Sequence, residues 1–259
     1  MADDLGYGDV TCYNPDSKIP TPNIDRLAAQ GVSFTDAHSP SSVCTPTRYG
    51  VLTGRYCWRS RLKRGVFGGF NHPLIEQDRL TVASLLKKHG YGTACIGKWH
   101  LGMDWTLKAG AREQDDDTID FTKPIICGPK EFGFDRFFGT AACTTDDPPL
   151  CFIDDDRTIG IPKPVSGQDP AGEGRTLLMV PGWRHEDADT RYTAEAIDFI
   201  EKHVKKRSND PFFLYFPASV PHIPWLPPDF VKGKSQAGPR GDQVVLMDWI
   251  VGQIAKTLD

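Results

Sequence analysis

The 259 residues contain no apolar run near the roughly 18 residues needed to span a bilayer; the longest obvious one is the five-residue "FFLYF" at 212–216. The chain does not open on a basic segment followed by an apolar core, so no secretory targeting segment is expected within these residues. Excess positive charge is missing too: 30 Lys+Arg against 34 Asp+Glu give a formal net charge of -4, which argues against a nucleic-acid footprint. No internal repeat is visible. None of the seven cysteines (12, 44, 57, 95, 127, 143, 151) forms a C-x-x-C pair, which argues against a structural zinc site. With Cys44 set aside for chemistry, six remain, an even number compatible with disulfides or with free buried thiols; Cys95, in an apolar run, reads as core.

What is present is an ordinary soluble composition, 39% hydrophobic and 25% charged, long enough for one large domain or two small ones. Helix signals alternate with strand signals. "TPNIDRLAAQG" (21–31) has Thr21 as a candidate cap, Pro22 at the first helical position and Gly31 at the end. "VSFTDAH" (32–38) reads as a strand and 46–55 as a short helix. A further helix over 78–90 places Val82, Leu85 and Leu86 on one face. "YGTACIGKWHLG" (91–102) is a strand entering a loop. Residues 104–131 read as a polar, acidic insert and 140–182 as surface cover. The pattern over 187–207 is strongly amphipathic, with Tyr192, Ala196, Ile197, Ile200 and Val204 at helical spacing. "PFFLYFPAS" (211–219) is a continuous apolar strand expected inside a parallel sheet, and 240–258 a final helix. This alternation predicts an α/β fold with a mostly parallel central sheet flanked by helices, in which functional groups gather at the carboxyl ends of strands. The opening "MADDLG" resembles the end of a strand whose body lies upstream, and "DWIVGQIAKTLD" stops inside a helix. Both suggest a fragment.

Four polar clusters fall at those strand ends. Asp3-Asp4 offers two carboxylates, which suit either a hard divalent cation or a solvated turn. Cys44 stands in "SPSSVCTPTR", at the start of a predicted helix with Arg48 about a turn on. There the helix dipole favours negative charge and lowers a thiol pKa. Lys98 and His100, two apart in "GKWHLG", point the same way if the segment is extended, and together suit an anion. His222 sits between prolines in "SVPHIPW". A thiol hydrolase pairing Cys44 with His100 or His222 would leave Pro46 and Arg48 without a role. The basic stretch Arg55, Arg59, Arg61, Lys63, Arg64, interleaved with Tyr56 and Trp58, reads as a solvated face with some capacity for an anionic polymer.

Taken in order, Cys44-Thr45-Pro46-Thr47-Arg48, "GYGTACIGKWHLG" (90–102), "MADDLGYGD" (1–9) and "PFFLYFPASVPHIPW" (211–225) resemble the signatures of the sulfatase family, nearest to its arylsulfatase A-like and N-acetylgalactosamine-6-sulfatase-like members. The resemblance implies an alkaline-phosphatase/sulfatase-like fold, with 1–259 as an incomplete catalytic domain lacking the first strand and the C-terminal portion. It implies hydrolysis of a sulfate ester, of a sulfated carbohydrate before a small aryl sulfate, through Cys44 converted to Cα-formylglycine by a formylglycine-generating enzyme. Asp3, Asp4 and modified Cys44 match calcium ligands. Arg48 matches the arginine holding the formylglycine, Lys98 a contact to hydrate and sulfate, His100 a hydrate partner, and His222 the proton donor to the leaving alcohol. Cys143 stands near a sulfate-contacting serine of arylsulfatase A-like members and is not carried over. Two further metal ligands and a sulfate-binding lysine of the family lie beyond Asp259, so the chain alone is expected to fold poorly or bind calcium weakly. Family members are exported, to periplasm, extracellular space or lysosome. The alternatives are a phosphonate monoester or phosphodiester hydrolase of the same superfamily, or a non-catalytic remnant that binds sulfated glycan.

Overall fold

The computed structural model describes residues 1–207 and 209–259. They form two compact units: one from Met1–His38, Arg184–Lys205 and Ala218–Asp259, the other from Ser39–Trp183 and Lys206–Pro217.

The second unit is built on a five-stranded sheet. Strand β1 (Gly92–Lys98) is buried at every position, Thr93 and Lys98 included, as expected of a strand inside a parallel sheet. It pairs in parallel with β2 (Arg136–Thr140) on one side and β7 (Phe212–Tyr215) on the other. Two short strands, β3 (Ile153–Asp154) and β4 (Arg157–Thr158), extend the sheet antiparallel beyond β2, giving the order β4-β3-β2-β1-β7. Residues 140–182 therefore do more than cover a surface: they supply these strands and a second small sheet of β5 (Lys163–Val165) and β6 (Leu177–Met179). Leu150, Leu177, Met179 and Trp183 form their own buried cluster. The insert at 104–131 is pinned by antiparallel bridges at Asp104–Cys127 and Leu107–Ile119. Strand β7 is parallel as expected, but it lies at the edge of the described sheet and is only partly buried.

The β1–β2 seam is close. Gly97 faces Gly139 in register, and a Cβ added to Gly139 would lie 1.9 Å from the Gly97 carbonyl oxygen. Helix α2 (Cys44–Thr53) ends at Gly54, whose φ of 65° suits the left-handed cap. Helix α3 (Val82–Lys88) begins later than the pattern suggested, because Thr81 and Ser84 cap it reciprocally: each hydroxyl oxygen accepts the other's backbone N–H at 3.0 Å. Ala83 and not Leu85 is its buried residue; Leu85 faces solvent.

The first unit is helical, from α1 (Pro22–Gln30), α4 (Ala188–Lys206) and α5 (Gly238–Leu258). Thr21 does not cap α1. Its hydroxyl engages Thr11 and Asp25 instead. The cap comes from α5, where Asp248 Oδ1 accepts the N–H of Asn23 at 2.9 Å and of Ile24 at 2.8 Å. In α4, Tyr192, Ala196 and Ile200 are buried as patterned, but the last turn buries His203 and exposes Val204. Residues 32–38 are not a strand. Among the described residues no strand pairs with them, and Val32 (79%) and Phe34 (70%) are exposed, so the β-propensity of the segment finds no ladder. All seven cysteines are free, six of them buried, so the disulfide option falls away.

Candidate active site

In the second unit the chemistry-bearing groups converge on the first turn of α2. Cys44 is its first residue, after an extended Val43. Thr47 holds that turn by donating to Val43 O at 2.8 Å and Ser41 O at 2.9 Å. Arg48, fully buried, follows one turn on and donates through Nη1 to the carbonyl of Lys98. Thr45 is a residue that sequence reasoning passed over, since it occupies the variable position of the signature. Its hydroxyl donates to His100 O at 3.0 Å and accepts from Phe67 N at 3.1 Å, tying α2 to the loop after β1.

Lys98 ends β1 and His100 does not continue it. His100 has a φ of 56°, so simple alternation fails there, yet both side chains are buried beside Cys44. The His100 N–H donates to Ala141 O at 2.9 Å. Its Nε2 meets the Phe67 carbonyl, an acceptor, so Nε2 carries the proton. Burial, then the Lys98 charge, push the His100 pKa down against a hydrogen bond with Cys44 that raises it, leaving a neutral ring with a buried lone pair on Nδ1. Asp147 Oδ2 stands 3.5 Å from Nε2.

The Cys44 thiol departs from expectation. The helix terminus should depress its pKa, but it is pushed up to about 11, first by a hydrogen bond with Cys143 and then by burial; His100 and Lys98 pull the other way and lose. Cys143 belongs to the cluster, with Lys98 Nζ donating to its sulfur at 2.8 Å. Ligand atoms of His100, Cys143 and Asp147 lie within 4.8 Å of one another, but the adjacent ammonium opposes a cation there.

In the first unit the structure gathers Asp3, Asp4 and His222. Asp3 N donates to Val220 O at 3.0 Å and Ala218 N to Met1 O at 2.9 Å, so the opening residues run beside 218–220. His222 Nδ1 meets Ile223 O at 2.5 Å, leaving Nε2 turned to Asp4 Oδ2 at 3.8 Å. Asp4 takes a left-handed φ of 69°, a strained conformation held from outside. The holder is Arg240, which donates to Asp4 O at 3.1 Å while gripping Asp9 with both terminal nitrogens at 2.6 and 2.7 Å. Asp189, buried at the start of α4, accepts from both Ser219 N (2.9 Å) and Ser219 Oγ (2.5 Å), fixing the turn that carries His222. Neither Arg240 nor Asp189 is signalled by local sequence. The donor set of Asp3 and Asp4 is carboxylate oxygen, which fits a hard divalent cation.

The profile of the Sulfatase family matches residues 1–259. The chain is 35% identical over 294 residues to an N-acetylgalactosamine-6-O-sulfatase of Bacteroides thetaiotaomicron, covering all of this chain and 54% of the relative. It is 34% identical over 262 residues to human arylsulfatase A, covering 98% and 46%. A solved structure from the glycosaminoglycan-metabolism locus of Bacteroides thetaiotaomicron superposes with a TM-score of 0.83 at 32% identity, covering all of this chain and 58% of that one. The chain thus spans about half the length of the curated relatives it matches.

Proposed function

Because the chain belongs to the sulfatase family, we propose that residues 1–259 are part of a catalytic domain that hydrolyses sulfate esters of a carbohydrate. The supporting observation is the convergence of Arg48, Lys98 and a neutral His100 on Cys44. Cys44, once converted to formylglycine by a formylglycine-generating enzyme, would supply one hydrate hydroxyl to displace the alcohol at sulfur and a second hydroxyl whose deprotonation re-forms the aldehyde and expels sulfate. By the same kinship Asp3 and Asp4, with modified Cys44, would hold calcium, which would supply positive charge for the sulfate oxygens.

The chain's own residues do the rest. Lys98 offers its ammonium to the sulfate oxygens, and Arg48 fixes the first turn of α2 to the end of β1. His100 holds one proton on Nε2 against Phe67 O and has the Nδ1 lone pair with which to accept another from the residue at position 44. His222, whose Nδ1–H is committed to Ile223 O, would act from its imidazolium form, giving the Nε2 proton to the departing alcohol oxygen. A sulfated N-acetylgalactosamine is the first substrate to try, from the named relative. Export follows from the same kinship, and among the described residues no helix is long and apolar enough to cross a membrane.

The test is co-expression with a formylglycine-generating enzyme, peptide mass spectrometry across Cys44, and turnover of 6-sulfated N-acetylgalactosamine beside a phosphodiester. Aldehyde at position 44 with sulfate release is expected. A thiol that persists while a control sulfatase is converted overturns the mechanism in favour of a glycan-binding remnant. Aldehyde with phosphodiester turnover alone overturns the choice of ester.

A further inference from the structure

Residues 55–64 carry five cations, Arg55, Arg59, Arg61, Lys63 and Arg64, and none has a place in the chemistry above. The turn Cys57–Arg59 buries Cys57 and faces its neighbours outward, with Tyr56 55% and Trp58 62% exposed. The two rings stack, centroids 5.8 Å apart and planes 16° from parallel. Two large aromatics exposed side by side form a contiguous apolar face, which marks an interaction site more often than single exposed rings do.

The cations around this face are positioned without being neutralised. Lys63 Nζ donates to the Trp58 carbonyl at 2.9 Å. Arg61 Nη2 donates to the carbonyls of His72 and Pro73 at 2.6 and 3.0 Å, and its guanidinium sits 4.9 Å from the Phe67 ring centroid. Carbonyl partners orient these groups and leave their charge intact. Glu76, the carboxylate that reaches the loop, is shared among Arg55 (3.4 Å), Arg79 (3.2 Å) and the Tyr49 hydroxyl (3.1 Å). Arg59 and Arg64 have no ion-pair partner among the described residues. In a chain of net charge -4, positive potential is thereby concentrated beside one aromatic face.

We propose that the loop 55–64 docks a sulfated polysaccharide chain. A sugar ring presents an apolar C–H face to the Tyr56–Trp58 stack, while its sulfates meet Arg59, Lys63 and Arg64 in charge-assisted hydrogen bonds. The choice of sulfated glycan over another polyanion rests on the proposed function; the existence of the platform does not.

Binding is measured by titration calorimetry on the protein with Cys44 unconverted, so that no turnover is needed. The probes are chondroitin 6-sulfate, unsulfated chondroitin and a single-stranded oligonucleotide. Trp58→Ala and the double variant Arg59→Ser/Arg64→Ser are each expected to weaken chondroitin 6-sulfate binding about tenfold or more. The arginine variant should also flatten the salt dependence, as fewer counterions are released. Thermal melting checks that each variant is folded; if Trp58→Ala melts early, the arginine pair and Trp58→Phe decide. Wild-type affinity in the folded variants overturns the proposal. So does unsulfated chondroitin or the oligonucleotide binding as tightly as the sulfated chain.

Discussion

Lys98 donates to the sulfur of Cys143 at 2.8 Å, and Cys143 in turn hydrogen-bonds the thiol of Cys44. The ammonium is thus partly spent on a neighbouring sulfur, and the candidate nucleophile position stays protonated. Cys143→Ala removes the largest cause of the raised Cys44 pKa. Iodoacetamide labelling of Cys44 at pH 8 should accelerate about tenfold for each unit by which that pKa falls. An unchanged labelling rate with a folded variant would contradict the assignment.

Alkaline pH should destabilise the fold. Cys44 and Cys127 are raised to about 11, the first by Cys143 and burial, the second by burial and then Asp104; burial raises Cys95 and Cys151 as well. The folded chain holds these protons more tightly than the unfolded chain. The stabilisation is therefore complete below the ordinary thiol pKa and fades as pH rises from about 9 towards 11. Between pH 8.5 and 10.5 the Tm should drop by on the order of 5 °C. A flat Tm across that interval would show that these thiols are not buried as described.

Asp189 holds Ser219 in the turn bearing His222, and on the proposed mechanism it would act on chemistry only through that turn. Asp189→Ala in the converted enzyme should therefore depend on the leaving group. If His222 protonates the leaving alcohol as proposed, a sugar sulfate should slow at least tenfold. 4-Nitrophenyl sulfate, whose phenolate leaves unaided, should stay within about threefold. Equal losses on both substrates would mark Asp189 as purely structural.

Removing the Asp248 side chain uncovers two backbone N–H groups at the start of α1 and the Asn23 amide, which it accepts at 2.8 Å. Asp248→Ala should cost roughly 2–3 kcal/mol, read as a shifted urea midpoint. A loss under about 0.5 kcal/mol would mean that water replaces the cap without penalty.

Gly139→Ala drives a methyl into the Gly97 carbonyl across the β1–β2 seam. A loss of roughly 2–4 kcal/mol is expected, with the backbone at Lys98 displaced. Wild-type stability would show that the seam can open freely.

The sequence made β1, α4 and the parallel pairing of β7 readable because each follows from a largely apolar or periodic pattern, and α2 was read about two residues late, at 46–55. Cys44, Arg48, Lys98 and His100 were readable because their signatures are short and contiguous. What escaped was non-local. Thr45 occupies a position the signature leaves open, and Arg240 and Asp189 reach residues more than 200 and about 30 positions away. Residues 32–38 have strand propensity without a partner, and no local pattern reports a missing neighbour. The pKa of Cys44 failed the helix-dipole rule because Cys143, a hundred residues on, supplies the larger effect.

The clasp between Asn23 and Asp248 joins residues 225 positions apart. During synthesis Asn23 leaves the ribosome long before Asp248 exists, while Ser39–Trp183 emerges in between as one stretch. The helical unit therefore cannot cap its first helix until translation is nearly through the chain described here, and α1 must wait uncapped while most of the sheet's residues have already emerged.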